Sequence, residues 1–308
     1  MTRFLIQRLA LMVLVVAGVT TFLFALSRLS GDPAQIFSPP EASDAVVAAT
    51  RERLGLDAPL WQQYADAITG AFQFDFGTSF AFRTPAGQLA LERLGPSLTV
   101  VLPALLLAFL LALAIGTFAA LYPTRLRGRV AMAGAFVTDG VPFFLVAFVL
   151  VLVFAIWLRW VPATGSTGLI SLVIPVAVLT IHAVSTLSRL VRGQLLDALA
   201  TGPVVTARSK GLPPRTILLQ HAFPIALPPV LAWLGIQFSF MFSALLVLEP
   251  ILNYGGLGGL LVRSVTNRDF PVVQACVFVI AVLITLANIG TDMIVRLLDP
   301  RLRAGVSR

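Results

Sequence analysis

The sequence is poor in charge, in cysteine and in lysine. Charged residues make up 12% of the 308 positions, about half of the share that is usual in soluble domains, which excludes an ordinary soluble domain. Cys276 is the single cysteine, which excludes a disulfide framework and a metal site built from thiolates. Lys210 is the single lysine and stands in Ser209-Lys210-Gly211. The chain therefore lacks the Gly-Lys-Ser/Thr sequence with which a P-loop binds the phosphates of ATP.

Long apolar stretches are what the sequence has instead. Hydrophobic residues make up 58% of the chain and the mean hydropathy is +0.93. Several stretches reach the roughly 20 residues that cross a bilayer as a helix. The stretches are continuous and do not alternate with period two, which favours helices over a β-barrel. Six spans are predicted, at Leu9–Leu26, Leu98–Leu121, Val130–Trp157, Leu169–Leu187, Leu227–Val247 and Val272–Ile294.

Basic residues are distributed unevenly between the two sides of these spans. The side with both termini carries fourteen Arg or Lys residues against Asp197 and Asp299, whereas the other side carries eight arginines against ten carboxylates. The positive-inside rule makes the first side cytoplasmic, and it explains the basic pI of about 11.1 without a nucleic-acid partner. Arg3 and Arg8 precede the first span as in a signal peptide, but the span is too long and no small-residue cleavage site follows. We expect a retained helix with a cytoplasmic N-terminus.

The chain is predicted to form a single transmembrane domain over 1–308. Its largest aqueous segment is an external loop at 30–96. Apolar residues recur there at helical spacing, at Leu60, Tyr64, Ala67 and Ile68. One or two short amphipathic helices are therefore expected to lie against the outer membrane face.

A polar segment at 189–221 separates the fourth span from the fifth on the predicted cytoplasmic side. The part up to Lys210 has a helical pattern, Gly211 suits the left-handed residue that ends a helix, and Pro213-Pro214 suits the first turn of the next helix. We therefore predict a helix, a sharp turn and a second helix that runs into the fifth span. Such a stiff element transmits force, because its shape does not relax when it is pushed.

The residue types of this segment are suited to contact with a partner protein. Its side chains offer hydrogen-bond donors, and its small residues allow the close approach of another backbone. The predicted contact residues are Thr206, Ala207, Arg208, Ser209, Lys210 and Gly211.

The same stretch carries a resemblance to a known family. The sequence TARSKGLPPRTILLQHAFPIALPPVLAWLGIQ resembles the EAA coupling segment in the membrane subunits of ATP-binding-cassette importers. It is most similar to the branch of dipeptide, oligopeptide, nickel and glutathione permeases, and within it to the first dipeptide permease subunit. RLSGDPA, LGLDAPLWQQY, DFGTSF, NRDFPVVQ and LDPRLR also look like signatures of that family. The resemblance covers essentially the whole chain.

The sequence departs from the family pattern in two places. Gly202-Pro203 replaces the Asp-Tyr pair that relatives often have ahead of the coupling motif, and Val205 replaces a common arginine. The helix before the turn is therefore expected to start later, at Pro203.

The resemblance implies a fold, a function and partners. The fold is an all-α polytopic membrane protein with six transmembrane helices, the type I importer permease fold. The implied function is to form half of the translocation pathway for dipeptides or short oligopeptides in the cytoplasmic membrane of a bacterium. The implied partners are a second permease subunit, two ATP-binding subunits that bind ATP and Mg, and an extracytoplasmic substrate-binding protein. The chain itself is then neither an enzyme nor the holder of a cofactor.

Alternative functions remain open at this stage. Nickel and glutathione permeases share the same signatures. An ion-coupled secondary transporter would need intramembrane carboxylates and an inverted repeat; no repeat is visible, and Asp139 is the one carboxylate candidate within a span. An intramembrane enzyme is not supported, since no acid–base pair, nucleophile triad or metal cluster stands out.

Polar residues inside predicted spans are candidates for function, because burying them in lipid is costly. Candidates for lining the pathway are His182, Ser185, Gln237, Ser239 and Ser243. A glycine-rich stretch after the fifth span, EPILNYGGLGGLLVRSVTNRDFP, is predicted to be a bent segment near the outer gate. Its candidates for contact with the binding protein are Glu249, Arg263, Arg268 and Asp269.

Overall fold

The computed structural model describes residues 2–29, 32–36, 38–39, 41–53, 56–136, 140–165 and 168–298. In these ranges the chain forms helices and turns and no strand, which confirms the all-α prediction. Most of the LDPRLR signature lies outside the described residues, as do parts of RLSGDPA and LGLDAPLWQQY. Five helices of the described chain are long and apolar enough to cross a membrane: Ile6–Leu26, Ala86–Leu121, Leu169–Leu199, Pro214–Ile251 and Phe270–Leu297.

Thirteen helices are named below in chain order for the described residues. The first half contains α1 Thr2–Leu29, α2 Pro33–Ile36, α3 Asp44–Arg53, α4 Leu60–Gln73, α5 Ala86–Leu121 and α6 Leu126–Phe136. The second half contains α7 Phe143–Leu150, α8 Val173–Leu199, α9 Gly202–Ser209, α10 Pro214–Thr216, α11 Phe223–Ile251, α12 Leu257–Thr266 and α13 Phe270–Leu298. Short π-helical or 3₁₀ segments adjoin three of these helices. The π-helical Val151–Trp157 follows α7, the 3₁₀ segment Leu169–Leu172 precedes α8, and the π-helical Ile217–Ala222 precedes α11.

The third predicted span is not one continuous helix. The structure has α6 and then α7, which reaches Trp157 through its π-helical continuation. Pro142 precedes α7 with an extended backbone (φ −55°, ψ 135°). A proline lacks the N–H that a continuing helix needs, so a new helix starts after it. Asp139 lies outside the described residues.

The helix of the second span begins earlier than the external loop was predicted to end. Helix α5 starts at Ala86, directly after Pro85, and continues through Pro96. The last residues of the predicted external loop, 86–96, are therefore helical, and where the membrane begins along α5 stays a prediction. A proline inside a helix removes one backbone hydrogen bond, but membrane helices tolerate this where neighbouring groups satisfy the freed carbonyl.

The chain divides into two compact units, and the first takes Met1–Ser97 with Leu245–Leu286. Helix α4 is amphipathic, as predicted, and packs on α1. The ring of Tyr64 lies edge-on to Phe24 at 5.4 Å, and its hydroxyl is 2.7 Å from Thr21 Oγ1. Phe278 of α13 contacts the rings of Phe74 and Phe76. These contacts fix the predicted external loop on the ends of membrane helices.

The second unit takes Leu98–Ala244 with Ala287–Arg308. Helices α5 and α8 approach closely at Gly116, where a Cβ would lie 2.7 Å from the carbonyl oxygen of Ser188 and from Cβ of Val191. A residue with a side chain would not fit there, and small residues of this kind allow the backbones of membrane helices to approach closely. The core of this unit also contains the segment that joins α8 to α11.

Candidate functional site

Helix α9 ends in a turn with a defined hydrogen-bond pattern. The N–H of Gly211 donates to the carbonyl of Arg208 at 3.0 Å, and the N–H of Leu212 donates to the carbonyl of Ala207 at 3.3 Å. With Gly211 at φ +74°, these two bonds form a Schellman motif, in which a left-handed residue ends the helix. The predicted helix end at Gly211 is confirmed.

The need for glycine at this turn is conformational. A Cβ on Gly211 would meet no atom within 4 Å, so packing does not exclude a side chain. The left-handed backbone excludes it instead, since an L-residue with a Cβ is strained at that φ.

Proline fixes the other side of the turn. Pro213 is extended (φ −64°, ψ 146°) and precedes α10, after which the helical chain continues to Ile251. This confirms the predicted helix, turn and second helix. Helix α9 itself begins at Gly202, with Pro203 in its first turn, one residue before the predicted start. Because proline fixes φ, the connection between the two helices has little conformational freedom.

One face of α9 is buried in the core of its unit. Val204 is fully buried and Ala207 is 4% exposed, and they share a cluster with Leu195 and Ala198 of α8 and with Ile217. The prediction that Ala207 contacts a partner is therefore wrong for its side chain, which packs on this chain's own helices. Sequence reasoning missed Val204, although the spacing of three residues from Ala207 places both on one helical face.

The remaining surface of α9 and its turn is exposed and basic. Thr206, Arg208, Ser209, Lys210 and Gly211 are all exposed. The hydroxyl of Ser209 donates to the carbonyl of its own helix at Val205. No ion pair joins Arg208 or Lys210 to a carboxylate in the part of the chain that the structure describes.

The candidates for lining the pathway separate into buried and exposed residues. Ser185 and Gln237 are 1% and 5% exposed, so they pack against this chain's own helices. His182 is exposed, with its ring 6.5 Å from that of Phe143. Ser243 is exposed and Ser239 is half-buried. The burial leaves His182, Ser239 and Ser243 as the accessible members of the predicted set.

Glu249 lies at the end of α11 and is 1% exposed. Its carboxylate accepts hydrogen bonds from the hydroxyl of Ser97 at 2.6 Å and from the N–H of Gly259 at 2.9 Å. The hydroxyl of Ser97 in turn accepts from the N–H of Leu257 at 2.9 Å. Two N–H groups at the start of α12 are thus satisfied by side chains, which is what a helix N-terminus requires.

The glycines beside Glu249 make room for this arrangement. A Cβ on Gly256 would overlap the carboxylate of Glu249 and lie 2.5 Å from Ser97 Oγ. A Cβ on Gly258 would lie 2.9 Å from the carbonyl oxygen of Leu245. The glycine-rich stretch therefore packs a short helix closely against the end of α11. Glu249 does not contact a binding protein through an exposed surface, and this prediction is wrong.

Asp269 is the second buried carboxylate of the first unit, also 1% exposed. It accepts from the hydroxyl of Ser79 at 2.5 Å and from the N–H groups of Phe80 and Ala81 at 3.3 and 3.2 Å. It thereby fixes the turn before α5 to the start of α13. Its predicted contact with a binding protein is wrong for the same reason as that of Glu249.

The two predicted arginines of this region are on the surface. Arg263 is exposed and donates to the side-chain oxygen of Asn253 at 2.7 Å. Arg268 is exposed and has φ +55°. These two residues remain the accessible candidates for contact on the predicted outer side.

Two family models match the chain. One, described as "Binding-protein-dependent transport system inner membrane component", matches residues 112–304. The other, described as "Binding-prot-dependent transport system membrane comp, N-term", matches residues 1–94.

Curated relatives and solved structures agree with these matches. A glutathione transport system permease protein GsiC of Salmonella choleraesuis is 34% identical over 94% of each chain, and that of Escherichia coli K12 is 32% identical over 98% of this chain and 99% of its own. A structure of the MetNI methionine ABC transporter superposes with a TM-score of 0.56 at 19% identity, over 69% of this chain and 97% of that chain. The last similarity shows the fold alone. The chain belongs to the inner membrane components of binding-protein-dependent transport systems, as an ABC importer permease of the peptide, nickel and glutathione family.

Proposed function

We propose that this permease subunit couples ATP hydrolysis in partner subunits to transport through the exposed face of α9 and its turn. The coupling residues in this proposal are Thr206, Arg208, Ser209, Lys210 and Gly211. The observation that carries the proposal is the contrast between the buried side chains of α9 and its exposed basic residues. The face with Val204 and Ala207 is buried against the membrane helices, whereas the basic face is exposed.

The contrast supports a mechanical role. Val204 and Ala207 pack on α8 and on Ile217, which precedes α11, so a push on α9 moves the packed ends of both helices. The Schellman turn and Pro213 prevent the connection from bending and absorbing that displacement. The moving unit is then α9 with the adjoining ends of α8 and α11.

The charge of the exposed face supports a protein partner with acceptor groups. Arg208 and Lys210 present donors that carboxylates and helix C-terminal carbonyls bind well. In this proposal two ATP-binding subunits bind ATP and Mg, because the single lysine of this chain is not in a P-loop. A second permease subunit completes the pathway, and an extracytoplasmic binding protein delivers the substrate.

Short peptides are the proposed substrate class. It includes dipeptides and short oligopeptides, and also glutathione, a tripeptide that names the curated relatives at 34% and 32% identity. Nickel is a second candidate that the family branch supports. His182, Ser239 and Ser243 are the accessible polar residues that we propose line the pathway.

The test is uptake into proteoliposomes that contain this chain, the second permease subunit and the two ATPases, with the binding protein outside. Labelled dipeptide, glutathione and nickel are compared with and without ATP inside the vesicles. We expect ATP-dependent uptake of a peptide, and no uptake when the P-loop lysine of the ATPases is replaced. Gradient-driven uptake by this chain alone, indifferent to ATP, would overturn the proposal. ATP-driven uptake of nickel without peptide would overturn only the substrate class.

A further inference from the structure

Helix α4 runs antiparallel to α1 within the first unit. Near the start of α4, the side-chain oxygen of Gln63 accepts a hydrogen bond from Arg28, and Tyr64 packs on α1 one residue later. Near its other end, Ala71 is buried in one cluster with Val16. Positions along α1 thus fall from 28 to 16 as those along α4 rise from 63 to 71. The proposed coupling mechanism uses none of these contacts.

The far end of α4 lies deep along two helices that could cross a membrane. Ala71 shares its cluster with Val16 of α1 and Phe278 of α13. Val16 is ten residues from the end of the candidate span Ile6–Leu26, and Phe278 is eight residues from the start of the candidate span Phe270–Leu297. At 1.5 Å per residue, the two helices separately place this contact about 15 Å and about 12 Å from their predicted outer ends. The hydrocarbon core is about 30 Å thick, so α4 reaches well into its outer half.

A cavity of about 550 Å³ lies between α1, α4 and α13. Gln63, Asp66 and Asp75 are among the residues that line it, and both carboxylates are exposed. Charged side chains at membrane depth are tolerated where they line a water-filled cavity. The cavity therefore gives the carboxylates of this segment access to water while α4 lies beside α1.

An apolar stripe on α4 is formed by Trp61, Ile68 and Phe72. These residues are spaced by seven and by four positions, which places them on one face of a helix. Trp61 and Phe72 are 73% and 57% exposed, and Ile68 is half-buried. Tyr64 and Ala71, which pack on α1, lie on the adjacent face. The stripe is thus an exposed apolar surface next to the contact with α1.

The apolar stripe continues an exposed apolar face of α1. On α1, Thr20 lines the cavity, Thr21 contacts α4 and Phe22 is 64% exposed. Residues 70–72 of α4 follow the same order of cavity, contact and exposure. Because both helices line the same cavity, their exposed faces lie together on the other side of the pair. Leu14 extends the face of α1 towards the middle of the span and is 66% exposed.

We propose that α4 is a re-entrant helix, which enters the outer leaflet beside α1 and contacts acyl chains through the apolar stripe. The continuity of the stripe with α1 favours lipid as its partner, since the exposed apolar face of a membrane span contacts lipid tails that are as apolar as leucine. A helix lying flat on the outer membrane face, as the sequence predicts, would hold Trp61 and Phe72 at one depth. The inserted helix holds Phe72 deeper, because the two residues are about 16 Å apart along the helix axis.

The test measures the depth of spin labels on the full-length chain in phospholipid vesicles. In a Cys276→Ala background, which removes the single cysteine, the labelled variants are Trp61→Cys, Ile68→Cys and Phe72→Cys. Depth is obtained by comparing collisions of the label with oxygen, which concentrates in lipid, and with a water-soluble nickel chelate. Membrane helices tilt by up to about 40°, so the label at Phe72 should lie about 12–16 Å deeper than the label at Trp61.

The matched control is Thr69→Cys, at an exposed position next to Ile68. It has nearly the same height on α4 but lies outside the apolar stripe, so its label should collide more with the nickel chelate than the label at Ile68 does. Equal depths for the labels at Trp61 and Phe72 would overturn the insertion. Greater exposure to the nickel chelate at Ile68 and Phe72 than at Thr69 would overturn the contact with lipid.

A repeat with the second permease subunit in the same vesicles separates lipid from a protein contact. Oxygen collisions at Ile68 and Phe72 that persist in the pair of subunits support the assignment to lipid. Their loss on addition of the second subunit would overturn it and assign the apolar stripe to the subunit interface. Neither reading uses ATP or transport, so its outcome is independent of the proposed function.

Discussion

Replacement of Gly211 by valine tests whether the turn after α9 carries mechanical work. The native residue has φ +74° and no atom lies within 4 Å of the position that a Cβ would take. Valine therefore causes no clash with the rest of the chain. Its whole effect arises from the backbone, because a β-branched residue resists the left-handed conformation.

The magnitude follows from the backbone and its two hydrogen bonds. The left-handed conformation costs an L-residue roughly 1–2 kcal/mol, and we expect the cost for valine to lie at the upper end of this range. If the turn opens to relieve the strain, it loses the bonds from Gly211 to Arg208 and from Leu212 to Ala207, each worth about 1 kcal/mol. A destabilisation of about 2 kcal/mol reduces the ratio of formed to opened turn by about 30-fold.

The assay is the number of substrate molecules imported per ATP hydrolysed in proteoliposomes with all partner subunits. Gly211→Val should insert normally but show a ratio lowered by about tenfold or more, since hydrolysis continues while the turn yields. Gly211→Asn is the matched control, because asparagine accepts the left-handed conformation, and it should stay within about twofold of the parent. An unchanged ratio in Gly211→Val, with Gly211→Asn also unchanged, would refute the claim that the turn must be stiff.

Three other substitutions test the packing around the candidate sites. Ala207→Leu adds volume at a site that is 4% exposed, so it should lower the free energy of unfolding by about 1–3 kcal/mol and reduce coupled ATPase activity. Its control is Ser209→Leu at an exposed position, which should leave the thermal midpoint unchanged. Asp269→Ala removes the acceptor of three hydrogen bonds, and each buried donor left unpaired costs about 1–3 kcal/mol. It should therefore lower the thermal midpoint and speed proteolysis near Ser79 more than Asp269→Asn does. Equal midpoints for the two variants would contradict this. Gly256→Ala should disrupt the carboxylate of Glu249 and lower the thermal midpoint, and Gly95→Ala, where a Cβ meets nothing within 4 Å, should not.

Local signals in the sequence were sufficient to predict the turn after α9. Gly211 and the Pro213-Pro214 pair act through their own backbone preferences, which depend little on the rest of the fold. The structure confirms both the helix end and the start of the next helix. Composition and run length were likewise sufficient for the all-α membrane fold, since the long apolar stretches admit few other structures.

The sequence near each candidate residue could not predict whether its side chain is buried. Asp269 and Ser79 are 190 positions apart, and Glu249 and Ser97 are 152 positions apart, so nothing near either carboxylate indicates its partner. A charged residue next to a predicted loop was therefore assigned to the surface. The break in the third predicted span had a local signal in Pro142, but a single proline in an apolar stretch does not distinguish a kink from an interruption.

The two buried carboxylates and the exposed basic residues of α9 and its turn differ in what they bind within the chain. Asp269 and Glu249 each accept hydrogen bonds from backbone N–H groups, Asp269 from the turn after Ser79 and Glu249 from the glycine-rich start of α12. Taking a carboxylate out of water is costly unless its hydrogen bonds are made, so each of these sites is stable in one geometry only. Arg208 and Lys210 are exposed on α9 and its turn and form no ion pair with a carboxylate of the described chain. Both side chains are therefore accessible to a partner. In the proposed mechanism the displacement of a partner reaches the membrane helices through α9, so the accessible charges there are the groups that such a partner would bind, whereas the buried carboxylates would serve only to hold their own unit together.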